Sequence, residues 1–225
     1  MAMAGNQARP HPRLNSWGGL IFGLTGAAGR RLRPLVVIIL TLNLVGCRTL
    51  GLPSLVKQPE ATATNNQFVE RSVRGDRVVS KILPVRLRLR PGWQEAPVNS
   101  LHDRADIQIY HPGQQIYLVV VGESKAVVPA GTLEQQASRY LALLESGLTA
   151  PLSPASRTGV NQIASFPAIQ YELQGQVLGQ VVNYLHTTLE VADHYYQVVV
   201  WTPKDKSVAN GEEMGEIVQG FDSDQ

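Results

Sequence analysis

Six consecutive residues, Ile116-Tyr-Leu-Val-Val-Val121, are apolar without alternation. A strand exposed on one face alternates polar and apolar side chains, so this unbroken run predicts a strand covered on both faces. Two amphipathic segments can supply the covers. Thr132 and Gln135 form a capping-box pair that opens a helix running to about Leu148. Its Leu133, Ala137, Tyr140, Leu141 and Leu144 recur at helical spacing. Asn210 with Glu213 is expected to cap a last helix, whose Met214, Ile217, Val218 and Phe221 make one apolar stripe.

Five further strands are expected. Leu83–Leu89 alternates, with Val85, Leu87 and Leu89 on one face and Arg86, Arg88 and Arg90 on the other, and Pro91-Gly92-Trp93 ends it. Asp106–Tyr110 and Ile116–Ser124 flank a hairpin turn at His111–Gln115. Ala168–Gln174, Val177–Leu189 and His194–Thr202 follow the first helix. The order β-β-β-α-β-β-β-α, with short hairpin links, predicts an α/β (α+β) protein. Its antiparallel sheet is sandwiched between helices as α/β/α. No internal repeat is present.

Of 225 residues, 44% are hydrophobic and 17% charged, which excludes a disordered chain, a collagen-like repeat and a polytopic membrane protein. The net charge of +2 is unevenly distributed. Residues 1–46 carry five arginines and no acid; residues 47–225 carry 15 Lys+Arg against 18 Asp+Glu and are net −3. A chain of that balance lacks the cationic surface that general nucleic-acid binding needs. The basic leader runs through Arg30-Arg31-Leu32-Arg33 into an apolar stretch, Leu35–Val45, that is shorter than the roughly 20 residues of a membrane span. This is the pattern of an export signal.

Leu44-Val45-Gly46-Cys47 closes the leader and is similar to the bacterial lipobox, in which the cysteine thiol takes a diacylglyceryl group and becomes the mature N-terminus. Cys47 is the only cysteine, so no disulfide framework is available. Two alternatives stand beside this reading: an uncleaved helix holding an inert cysteine, and a twin-arginine signal at Arg30-Arg31. Residues 1–46 are thus read as a lipoprotein-type signal peptide. Residues 47–76, rich in Pro, Thr, Ala, Asn and Gln, are read as a flexible tether, and residues 77–225 as one domain, monomeric and free of metal and cofactor.

Candidate chemistry is sparse. If the loop of the turn at Glu190–Asp193 has two or four residues, His186 opposes Gln197 and His194 opposes Leu189, which puts the two imidazoles on opposite faces and forbids a shared metal; only an odd loop would bring them together. His102, Asp103 and Asp106 form a polar group without the spacing of a zinc site. Gly122-Glu-Ser124-Lys-Ala126 imitates a nucleophile elbow but lacks the final glycine and the helix that should follow. A hydrolase using Ser124 is therefore a remote alternative. Trp93 and Trp201 are read as core or rim packing. Arg86, Arg88 and Arg90 form a candidate docking strip for an acidic partner or anionic lipid headgroups; the bland alternative is an edge strand guarded by charge. If all three side chains face solvent, replacing them should leave stability unchanged.

The early strand into Pro91-Gly92-Trp93, the mid-domain Phe166-Pro167-Ala168, the segment Tyr195-Tyr-Gln-Val-Val-Val-Trp201-Thr-Pro203 and a closing helix ending at Phe221 resemble the PsbP and DcrB-like superfamily over about residues 81–222. Ser165 stands where that family commonly has glycine. The resemblance implies a non-enzymatic, extracytoplasmic PsbP-like domain. In photosynthetic branches such a domain serves as an accessory or assembly factor of a photosystem on the lumenal side of thylakoids. In DcrB-like branches it belongs to an envelope or transport-associated lipoprotein. Together with Cys47, this gives a cyanobacterial-type lipoprotein facing the periplasm or thylakoid lumen, attached to the membrane by lipid (palmitate-type acyl chains) and working with a membrane protein complex.

Overall fold

A computed structural model describes residues 66–72, 75–177 and 179–224. The signal, the lipobox residues Leu44, Val45, Gly46 and Cys47, and the first part of the tether lie outside the described residues. In chain order the elements begin β1 (Gln67–Glu70), β2 (Arg77–Ser80), β3 (Val85–Arg88), β4 (Gln94–Glu95), β5 (Ile107–His111) and β6 (Ile116–Ser124). Then come α1 (Leu133–Ser146) and the short strands β7 (Ala150–Pro151), β8 (Ser156–Arg157) and β9 (Gln162–Ile163). Three long strands, β10 (Phe166–Val177), β11 (Gln180–Val191) and β12 (His194–Pro203), lead into α2 (Ser207–Gln219) and β13 (Phe221–Ser223).

The strands make two antiparallel sheets, not the single one expected. The larger has the order β4-β5-β6-β12-β11-β10-β7, with β8 and β9 also on β10; the smaller is β1-β2-β3-β13. The run that predicted a doubly covered strand is β6, and its partner β12 is the same: Val198, Val199 and Val200 are each wholly buried. One face, carrying Val119, Val199 and Trp201, groups with Leu144 of α1. The other, carrying Leu118, Val120, Val198 and Val200, groups with Met214, Ile217 and Val218 of α2 and with Val78, Val85, Leu87 and Phe221 of the small sheet. On that side a helix and a sheet share the cover, because α2 alone is too narrow for a strand array this wide.

The capping box of α1 forms as expected: Gln135 N–H donates to Thr132 Oγ1 at 3.3 Å, and Thr132 N–H to Gln135 Oε1 at 2.9 Å. The expectation for α2 is corrected. The helix starts at Ser207 after a 3₁₀ turn at Lys204–Lys206. Asn210 lies buried inside it, its amide donating to Gln114 O and Thr202 Oγ1. Phe221 leaves the helical stripe and pairs with Leu87 in the small sheet. The turn before Phe166 has only two residues, with Ile163 opposite Phe166, and Ala164 supplies the positive φ (50°) in place of a glycine.

The domain also begins earlier than residue 77. β1 pairs with β2, and buried Gln67 reaches across to the larger sheet, where β4 is too short to cover the backbone of β5. Its amide nitrogen donates to Gln108 O at 2.8 Å, and its Oε1 accepts from Gln108 N at 2.5 Å. A side-chain amide thus stands in for a missing strand. Gln67→Ala should lower stability by about 1–3 kcal/mol, the penalty for leaving buried backbone groups without partners, and a chain begun at Arg77 should lose at least as much. Denaturant unfolding of the two variants against the parent checks this.

Candidate functional site

β3 pairs with β2 on one side and β13 on the other, so the arginine strip does not lie on an edge strand. Neither do its three side chains form one open field. Arg86 sits opposite Asp222. Its Nε and Nη2 contact Asp222 Oδ2 at 2.9 and 2.8 Å, and its Nη1 meets Asp224 Oδ2 at 2.7 Å. Arg90 lies beyond the strand and reaches α2, 3.2 Å from Glu213 and 2.7 Å from Glu216. Glu213 also accepts from the indole N–H of buried Trp93 at 2.7 Å, which makes Trp93 and Arg90 joint anchors of that helix. Arg88 is exposed and makes no ion pair among the described residues.

Several polar groups of the larger sheet bond within it, while buried Asn183 Oδ1, Tyr184 OH, His186 Nδ1 and Gln197 Nε2 have no hydrogen-bond partner among the described residues. The β11–β12 turn is Ala192-Asp193, so Val191 opposes His194 and His186 opposes Val199, a register two residues from the one expected. His186 still faces α1 while His194 faces the other way. His186 is wholly buried, with Nε2 2.8 Å from Gln197 Oε1, which also accepts from Thr188 Oγ1 at 2.9 Å. Burial pulls its pKa down to about 4, against a weaker opposing effect of the Gln197 bond. Glu123 accepts from the hydroxyl of buried Tyr140 at 2.6 Å and pairs with Arg139 at 3.4 Å, tying α1 to β6.

His102 and Asp106 are not brought together as ligands. His102 Nδ1 accepts from Arg104 N–H, and the Asp106 carboxylate accepts from Gly122 N–H at 2.7 Å. Burial lowers the pKa of His102 and raises that of Asp106. Among the described residues, no three His, Cys, Asp or Glu side chains gather where they could hold a metal. Ser124 is more interesting than the sequence suggested. It stands directly opposite His194, whose Nδ1 lies 2.6 Å from Asp193 Oδ1. Its hydroxyl, however, accepts from Ala126 N–H, and the order Ser-His-Asp lacks the nucleophile-to-base bond that would activate it.

A polar cleft of about 280 Å³ opens between the start of α2 and strands β10 and β11, lined by Ser156, Glu172, Gln174, Asn183, Ser207 and Met214. Sequence reasoning missed it because its lining comes from four separated segments. Its hydroxyls, amides and single carboxylate can hydrogen-bond a small polar group; Glu172 stands opposite Ser156, and no cationic side chain lines the cleft.

No protein-family model and no curated protein matches the chain. Solved structures to which it is similar include LpqN, described as involved in cell envelope biogenesis of Mycobacterium tuberculosis, at 12% identity and a TM-score of 0.44, covering 60% of this chain and 79% of that one. They include cyanobacterial PsbP from Synechocystis sp. PCC 6803, at 10% identity and a TM-score of 0.46, covering 75% and 99%. A Pseudomonas aeruginosa protein of unknown function is similar at 12% identity and a TM-score of 0.43, over 71% and 99%.

Two outcomes are expected from this geometry. Arg86→Gln should destabilise the domain by about 1–2 kcal/mol through loss of a half-buried, multiply bonded pair, whereas Arg88→Gln should change stability by less than about 0.5 kcal/mol. Chemical denaturation separates them. For His186 the folded pKa of about 4 lies below the ordinary 6.5. As pH falls below 6.5 the unfolded chain binds the proton first, so stability is lost progressively down to the folded value, by up to about 3 kcal/mol. His102 acts in the same direction, and Asp106 in the opposite one. The slope of unfolding free energy between those pH values should be shallower in His186→Gln than in the parent.

Proposed function

We propose that this chain is a lipid-anchored extracytoplasmic protein whose single PsbP-like domain, an α/β/α sandwich with a sheet beside its second helix, acts by binding rather than catalysis. Its role is that of an accessory or assembly factor for a membrane complex. A photosystem is one such complex; an envelope or transport-associated complex of the DcrB type is the alternative, and the same anchor serves both. The observation that carries this reading is the position of the sole cysteine. Cys47 follows Leu44-Val45-Gly46 at the end of a leader with five arginines and no acid. Several acyl chains on one terminus anchor stably where one chain binds only reversibly. The sequence resemblance to PsbP and DcrB-like domains supports a binding role.

Ser124, His194 and Asp193 support a second, enzymatic reading only through their alignment. A hydrolase screen in which parent and Ser124→Ala behave alike disposes of it. The main reading is tested by mass spectrometry of the native protein from membranes. The mature chain should start at Cys47 and carry acyl mass, and Cys47→Ser should shift the protein from the membrane to the soluble fraction. A native chain that keeps residues 1–46 and an unmodified thiol contradicts the proposal. If it is anchored, the complex that co-purifies with it after mild solubilisation identifies the partner.

A further inference from the structure

We propose that the outer face of the small sheet docks on the anionic headgroup surface of the membrane in which the chain is anchored. The inner face of this sheet belongs to the core; none of the described elements covers the outer face. Across it run two rows. Phe68, Val79, Arg86 and Asp222 are successive cross-strand neighbours, and beside them lie Glu70, Arg77 and Arg88. Phe68 is 44% exposed, and Ile82, on the adjoining β2–β3 turn, is 61% exposed. Two large apolar side chains therefore flank the cations.

Arg77 and Arg88 are the informative pair. They are directly opposite each other on the same face, and neither forms an ion pair among the described residues. Like charges so placed oppose sheet formation. An anion between them removes that repulsion, and guanidinium forks suit phosphate oxygens. Together with Arg86, Asp222 and Gly220 they line a shallow crevice. The face itself carries Arg77, Arg86 and Arg88 against Glu70 and Asp222, for +1, with Lys81 on the adjoining turn, while residues 91–225 carry six Lys+Arg and fifteen acids, for −9. A membrane approached by the small sheet meets the two unpaired cations of an otherwise acidic domain.

Chain length favours the membrane over a free anion as the occupant. The described chain enters at β1, on this sheet, and Cys47 lies 20 residues upstream of Gln67. By the random-coil relation 20 residues correspond to about 25 Å on average, so an acylated Cys47 keeps this face at high effective concentration near the bilayer. The inference rests on the anchor proposed above for its setting, but its test does not.

The test uses the full chain with Cys47→Ser, which carries no acyl group, and Ile82→Cys bearing an environment-sensitive fluorophore. Vesicles are phosphatidylcholine alone or mixed with phosphatidylglycerol, with and without nitroxide-labelled lipid. The label at position 82 should shift to the blue and be quenched on the mixed vesicles only, with the response weakened by salt. A label at Val127→Cys instead should not respond. Arg77→Gln with Arg88→Gln should weaken the partitioning roughly tenfold or more, given what each cation contributes near an anionic surface, while the thermal midpoint stays level or rises as the repulsion is removed. No response at position 82, an equal response on neutral vesicles, or a response unaltered in the double variant overturns the proposal. So does full suppression by inorganic phosphate, which would mark a soluble-anion site. Acyl mass on native Cys47 without the position-82 response leaves the anchor and removes the docking face. The response without acyl mass does the reverse.

Discussion

The central strands β6 and β12 have no side that faces water, and the architecture follows from that. Their apolar side chains alternate between two faces without a polar interruption between Leu118 and Val121 or between Val198 and Trp201. Fully burying one such side chain contributes about 1.5–3 kcal/mol. Val119, Tyr184, Val199 and Trp201, which group with α1, thus represent about 6–12 kcal/mol, comparable with the whole net stability of a domain. Neither cover is optional.

The covers do not solve the problem alike. α1 lies over the wider part of the sheet and brings its own polar anchors, the Tyr140–Glu123 bond and the capped N-terminus at Thr132. Beneath that face His186, Gln197 and Thr188 share one acceptor, a polar island kept neutral by burial. The opposite face is closed by α2 together with β1-β2-β3-β13, held by Arg86 to Asp222 within the small sheet and by Arg90 and Trp93 to α2. Residues that read as a docking strip therefore divide their labour. Arg86 and Arg90 fasten the second cover, and Arg88 alone of the three forms no ion pair among the described residues.

Local pattern carried the larger part of the fold. The uninterrupted run at 116–121, the Thr132/Gln135 box and the apolar spacing of α1 each encode a preference within one segment, and each reappears in the structure. What failed depended on distant partners. Leu83–Leu89 alternates whether its strand joins the large sheet or a separate one, and only pairing with Asp222 and Val79 decides. Asn210 has the chemistry of a cap, but Thr202 and Gln114 recruit it into a buried bond. β1 was hidden because Gln67-Phe-Val-Glu70 is too short to show a period. The polar cleft and the Ser124–His194 alignment arise from register across strands, which no single segment contains. The reading of Leu44-Val45-Gly46-Cys47 is linear, needs no fold, and lies outside the described residues.

Gln67 also fixes how the domain would respond to load. Any pull on the upstream chain enters at β1, whose first residue carries both the pairing with Ser80 and the two side-chain bonds to Gln108. Those bonds join the edge of one sheet to the interior of the other, so tension is passed directly to β5 and the core instead of peeling the small sheet strand by strand. A single glutamine, placed where the described chain begins, acts as a strain relief.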